Sequence, residues 1–273
     1  MLQNLDEDSL VRVSADGKTA TTIANGAAGV GLTVDRAGNY IVAARSALLR
    51  VTRAGVVTTI ATAPNGSEWV AVAEHPGGGL VVADGILHVI WRVSDDGRTV
   101  DKFAEYPGSL PRGGSGIGLL RDDSGDFLLL RIGDDNTAHL YLISPAGEVS
   151  QIPLTGAVRP SAHFFLPTKD GLTAVSGGPI VPDGSGAFLF LDDEHTRNIF
   201  RLTRSGVVTK FAHLDRVSGH FPFGLARNPE TGEIVVQALG RLLRASPDGS
   251  TFGILYEGPK LHSGTAILAE IQQ

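Results

Sequence analysis

One pattern recurs six times along this 273-residue chain, and it limits the fold more than any other feature of the sequence. It is a strand of alternating apolar residues, a turn ending in glycine, and a second strand. The copies read LVRVSADGKTATTIA, LLRVTRAGVVTTIA, IWRVSDDGRTVDKFA, LYLISPAGEVSQIP, IFRLTRSGVVTKFA and LLRASPDGSTFGIL, with turn glycines Gly17, Gly55, Gly97, Gly147, Gly206 and Gly249. Alternation around an Xaa-Gly turn marks a β-hairpin, and the glycine belongs where the turn needs positive φ. A second strand–turn–strand element precedes five of these hairpins: GLTVDRAGNYIVAA, VAVAEHPGGGLVVAD, GLLRDDSGDFLLLR, PIVPDGSGAFLFLD and GLARNPETGEIVVQA. Together the two give four antiparallel strands in a repeat of about forty residues, the unit of a propeller blade. The spacing predicts an all-β fold over residues 1–273, a six-bladed β-propeller of four-stranded antiparallel blades in a single domain. The sixth blade is split. GTAILAE at 264–270 is its first strand and the chain opens directly on its last hairpin, so the C-terminal strand should close the ring against residues 9–24.

Composition removes several classes of function. With no cysteine there is no disulfide, thiolate metal site or thiol nucleophile. A net charge of −6 without a basic stripe argues against nucleic acid. No apolar run is long enough to span a membrane as a helix. The opening MLQNLDEDSL lacks the basic and apolar regions of a secretory signal, which makes a soluble, cytoplasmic protein the default expectation. Its oligomeric state is not legible.

The two families of turns fall on one face, so the links between blades and between each blade's second and third strands fall on the other. The turn glycines are 38, 42, 50, 59 and 43 residues apart. The excess lies at 106–116 and 157–177, and long loops of this kind are typically lids or binding loops. Aligning the inner strands on Gly31, Val70, Gly118, Pro179, Gly224 and Ala266 places His220 and His262 at the same offset in neighbouring blades, with Glu68 across the ring. Two imidazoles and a carboxylate suit acid–base chemistry, and equally a single divalent metal ligated by His220, His262 and Glu68. Trp69, Ile117, Phe221 and Phe223 read as the apolar wall of a small-molecule pocket, with Ser115, Ser263, His163 and Arg131 as polar contacts. A second ring, at the ends of the second strands, holds Asp84, Arg131 and Asp192; an Arg between two Asp suggests an interblade ion pair.

Gly31-Leu32-Thr33-Val34-Asp35 followed by Gly38-Asn39-Tyr40-Ile41-Val42, and the run Leu80-Val81-Val82-Ala83-Asp84, resemble NHL-repeat and SMP-30/gluconolactonase-like six-bladed propellers. That resemblance implies a small-molecule site on the loop-bearing face and lactone or ester hydrolysis at one catalytic cation. Val30, Ile117 and Phe223 stand where those lactonases carry Asn, and Glu68 is followed by Trp69 in place of Gly-Pro. The apolar mouth is more similar to strictosidine-synthase-like propellers, which implies a carboxylate for proton transfer and no metal. The expectation is an enzyme acting on a small, rather apolar molecule through Glu68, His220 and His262. Hydrolysis, cyclisation or elimination, and a non-catalytic ligand- or protein-binding propeller remain the alternatives.

Overall fold

The computed structural model describes residues 1–4, 7–107, 117–132, 138–156, 166–168, 171–173, 180–191, 198–214, 222–238 and 240–258. Among them are five four-stranded antiparallel meanders arranged as propeller blades. The first comprises Gly31–Val34, Tyr40–Ala43, Ala47–Val51 and Val57–Thr62; the second Trp69–Glu74, Leu80–Asp84, Val89–Val93 and Val100–Glu105. The third comprises Ile117–Arg121, Phe127–Ile132, Ala138–Ile143 and Val149–Ile152; the fourth Ile180–Pro182, Phe188–Leu191, Asn198–Leu202 and Val207–His213. The fifth runs through Pro222–Arg227, Ile234–Ala238, Arg241–Ala245 and Phe252–Glu257. Thr155–Gly156 adds a short parallel strand beside the outer strand of the fourth blade.

Burial explains why the second strands are continuous apolar runs. Each is covered on both faces by neighbouring blades, so Tyr40–Ala43, Leu80–Asp84 and Phe188–Leu191 are buried throughout. Successive residues serve opposite interfaces, because side chains alternate along a strand. Val82 packs towards the first blade with Ile41, Leu48 and Trp69, whereas Val81 packs towards the third with Phe127 and Tyr141. Leu128 joins Phe188 and Phe200 of the fourth blade, and Leu189 of the fourth joins Leu225 and Val236 of the fifth.

The sequence pattern calls for six complete blades, and here the described residues differ: they contain five. The N-terminal segment forms a three-stranded sheet ordered Leu2–Asn4, Ser9–Val13, Ala20–Asn25. The chain therefore does not open directly on a hairpin. Leu2, Gln3 and Asn4 pair with Val11, Leu10 and Ser9, on the edge of that hairpin where the closing strand was expected. Residues 264–270 lie outside the described residues. The sheet is packed on both sides: Val11 meets Ala226 and Leu242 of the fifth blade, while Leu10 meets Tyr40 and Val42 of the first.

All six turn glycines sit at positive φ, as the hairpin reading requires. Gly97 shows a second reason for glycine. A Cβ there would lie 1.7 Å from the Ile60 carbonyl oxygen, on the outer strand of the preceding blade. Gly17 would meet the Leu255 carbonyl in the same way, joining the N-terminal sheet to the fifth blade. Each turn begins with Ser or Thr, whose side-chain oxygen accepts a backbone N–H beyond the glycine, as in Thr99 to Ser94 at 3.1 Å and Val207 to Thr203 at 3.0 Å.

Within the 157–177 insertion, Leu166–Thr168 pairs with Gly171–Thr173; its remaining residues lie outside the described set. No helix among the described residues is long and apolar enough to cross a membrane.

Candidate functional site

The loops between second and third strands, together with the interblade links, form the rim opposite the glycine turns. At the second blade this rim is tied to the first by backbone. Trp69 N–H donates to the Arg45 carbonyl at 2.7 Å and Arg45 N–H returns to the Trp69 carbonyl at 3.2 Å. Arg45 is held in the left-handed region at φ 58 to make this bridge, a conformation that non-glycine residues adopt at some cost. Its guanidinium consequently reaches Glu68, with Nη1 3.0 Å from Oε2. The two side chains are 38% and 34% exposed, so the pair is open to a ligand. Glu68 is thus on the rim as the sequence suggests, but already partnered by an arginine.

Behind Glu68 stands Asp84, fully buried at the end of the second strand. Its carboxylate accepts the Ile86 and Leu87 N–H groups at 2.7 and 2.9 Å, the Trp91 indole N–H at 3.0 Å, and the Ser67 hydroxyl. With a weaker contact from the Glu68 N–H at 3.4 Å, these are the hydrogen-bond partners of Asp84 among the described residues, in place of the ion pair with Arg131 that the sequence suggested; Asp192 lies outside them. Gly85 N–H donates to the Glu68 carbonyl at 2.6 Å, which lays the following loop directly beside Glu68. On that loop Ile86 and Leu87 are 45% and 42% exposed.

A polar-aromatic cluster continues into the third blade. Tyr106 donates its hydroxyl to the Asp84 carbonyl at 2.7 Å and stacks on His88, ring centroids 5.7 Å apart. Burial pushes the Tyr106 phenol well above its usual range, against the opposing pull of Arg131, so it remains a proton donor. Arg131 is 1% exposed; its Nη1 and the Tyr141 hydroxyl both donate to the Pro107 carbonyl, at 3.1 and 2.9 Å. Sequence reasoning selected Arg131 but missed Tyr106, Tyr141 and His88. A tyrosine just beyond an outer strand carries no periodic signal that separates it from any other link residue.

Two proposed wall residues are placed differently from the expectation. Trp69 is fully buried between the first and second blades with Ile41, Ala43 and Leu48, and so does not line an opening. Ile117 is 4% exposed in the core between the second and third. The alignment also slips. Trp69 pairs with Asp84 and Ala71 with Ala83, leaving Val70 as a bulge, so Ala71 and not Val70 stands opposite the residue equivalent to Gly31's partner Ala43. The fifth blade carries the same irregularity: Pro222 pairs with Ala238 and Gly224 with Gln237, leaving Phe223 bulged. β-Bulges re-aim side chains and are over-represented beside active sites. Each has a buried polar neighbour with no hydrogen-bond partner among the described residues: the Trp69 Nε1, and both amide atoms of Gln237.

His220, His262, Phe221, Ser115, Ser263 and His163 lie outside the described residues, and for Phe223 only the backbone is described. Among the described residues no group of three or more His, Asp or Glu side chains is placed to hold a metal ion. The Glu68 carboxylate faces a guanidinium, an arrangement that competes with cation ligation.

A closed arrangement of radially packed four-stranded meanders defines a β-propeller. No protein-family model matches the sequence, and no curated protein matches it. Solved structures do. Selenomethionine-substituted virginiamycin B lyase from Staphylococcus aureus is 17% identical, covering 91% of this chain and 77% of its own, with TM-score 0.57. A chain of a nidogen/laminin complex is 12% identical over 98% and 95%, with TM-score 0.69. Regucalcin, a calcium-binding protein from Agrobacterium tumefaciens strain C58, is 15% identical over 98% and 81%, with TM-score 0.62. At these identities the likeness establishes the propeller fold, which hosts many unrelated activities.

Proposed function

We propose that this propeller binds and transforms a small, largely apolar molecule at the loop-bearing rim, with Glu68 as the proton-transferring carboxylate. The observation that carries the reading is the second-blade rim itself, where a half-exposed Arg45–Glu68 pair stands beside exposed Ile86 and Leu87. Large apolar side chains held next to a carboxylate fit a site that grips an apolar ligand and moves a proton. Hydrolysis of a lactone or ester, or elimination or cyclisation, uses those parts; a lyase stands among the proteins of similar fold. His220 and His262 would supply the complementary acid or base.

The test is turnover of a panel of lactones and esters by wild type and Glu68→Gln, with released acid or alkene measured. Loss of a positioned acid–base group should lower kcat by about 100-fold or more. Absence of turnover across the panel would point to the second reading, a non-catalytic binding propeller, whereas turnover unchanged in Glu68→Gln would refute the role given to Glu68. The second reading is favoured by the burial of Trp69 and Ile117, which removes two residues from the pocket wall.

We further propose that the N-terminal sheet belongs to a sixth blade completed by residues 264–270. Its packing against both the first and fifth blades supports this. Removing residues 264–273 should lower Tm sharply; an unchanged Tm refutes it.

A further inference from the structure

We infer that Asp84 is the positioning residue of this rim, a carboxylate that fixes Glu68 and the Ile86–Leu87 loop as one rigid unit; the inference rests on the function proposed above. Asp84 is fully enclosed, and so acts through its neighbours. Its oxygens face two sets of donors. Oδ1 accepts the Ile86 and Leu87 N–H groups at 2.7 and 2.9 Å, and more weakly the Glu68 N–H at 3.4 Å. Oδ2 accepts the Ser67 hydroxyl and the Trp91 indole at 3.0 Å. One buried side chain thereby joins the entry to the inner strand, the exposed loop and the third strand.

The blade unit itself does not require a carboxylate at this position. Aligned second strands end in Ala44 in the first blade, Arg131 in the third, Asp192 in the fourth and Ala238 in the fifth, so three of the five carry no carboxylate there. Burying a charge is unfavourable unless hydrogen bonds replace its hydration. In the second blade, which carries Glu68, the Ser67, Ile86 and Leu87 donors that offset this cost come from the rim.

The donor pattern makes a specific test. In Asp84→Asn, the amide nitrogen must face either the loop N–H groups or the Trp91 N–H, and donor opposes donor both ways. Adding Trp91→Phe removes the second conflict. The nitrogen can then face the Ser67 hydroxyl, which can accept, while the oxygen keeps the loop. Amide hydrogen exchange is measured in wild type, Trp91→Phe, Asp84→Asn and the double variant, alongside turnover on the ester and lactone panel.

Exchange at Ile86 and Leu87 should accelerate about tenfold or more in Asp84→Asn, stay unchanged in the fourth and fifth blades, and recover in the double variant. With a turned-over substrate, kcat should fall and recover in parallel while KM changes little. Three results overturn the inference: unchanged exchange at Ile86 and Leu87, acceleration spread evenly over all blades, or no recovery on adding Trp91→Phe. If Asp84→Asn alone does not fold, recovery of a folded double variant supports the inference and failure of both overturns it. A panel without turnover but with the expected exchange pattern refutes catalysis and leaves the positioning role standing.

Discussion

The sharpest test of how the blades are held together compares the hairpin-turn glycine Gly97 with Gly66, in the link between the first and second blades, because the pair separates backbone conformation from interblade contact. Gly97 and Gly66 have φ of 72° and 81°. Alanine is strained at either, by roughly 1–2 kcal/mol. Their surroundings differ. At Gly66 an added Cβ meets nothing within 4 Å, whereas at Gly97 it lies 1.7 Å from the Ile60 carbonyl oxygen, inside the 3.0 Å that real Cβ atoms respect. The obstacle is backbone, so relief requires the second blade's turn to withdraw from the outer strand of the first. Overpacking of that kind adds roughly 1–3 kcal/mol. Gly66→Ala should therefore cost about 1 kcal/mol and Gly97→Ala about 3 kcal/mol or more in urea unfolding at equal m-value. Equal losses in the two variants would refute the idea that the turn seats on the neighbouring blade.

Three further outcomes follow from local chemistry. His75 accepts the Gly77 N–H at 2.9 Å and packs on Phe103 and Phe127; burial first, then Arg92, Arg121 and Arg36, lowers its pKa, against the Pro145 carbonyl. A depressed folded pKa favours the neutral ring, so its stabilisation is complete above the ordinary value of 6.5 and is lost as pH falls below it. Tm should drop more between pH 7 and 5 in wild type than in His75→Asp, and equal drops would count against this. Arg204 crosses from the fourth blade to Asp122 at 2.5 Å, Ser124 at 3.0 Å and Asp126. Arg204→Met should cost roughly 1–3 kcal/mol by leaving the nearly buried Asp122 unpaired, and a neutral result in urea unfolding would show the clamp idle. Gln237→Met should stabilise the fold by roughly 1–2 kcal/mol, because neither buried amide atom has a partner among the described residues; a marked loss of stability would show that the amide is satisfied.

Much of the architecture is legible because a hairpin is a local object. Turn glycines and alternating strands lie within a dozen residues of one another, and all five described blades follow them. The paired faces are not local. Trp69 reads as a rim aromatic by its distance from the neighbouring blade's glycine, yet a single bulged residue, Val70, shifts that count and the indole enters the core. Likewise Arg45 is distant from Glu68 in the sequence, and only the backbone bridge to Trp69 brings them together. The Ser and Thr residues opening each turn give no such signal, because their role is fixed by hydrogen bonds and carries no hydrophobic period.

The seating of each turn on the blade before it has a consequence for how the chain holds its shape. Every such contact is head-to-tail, like the joints of a cyclic assembly, and a series of this kind is secure only when its last member meets its first. Here that joint is Gly17 against the Leu255 carbonyl, reinforced by Arg244 donating to the Ala15 carbonyl. The N-terminal sheet is the keystone of an arch. Loosening it frees the flanks of two blades at once, although no residue of the Glu68 rim belongs to it.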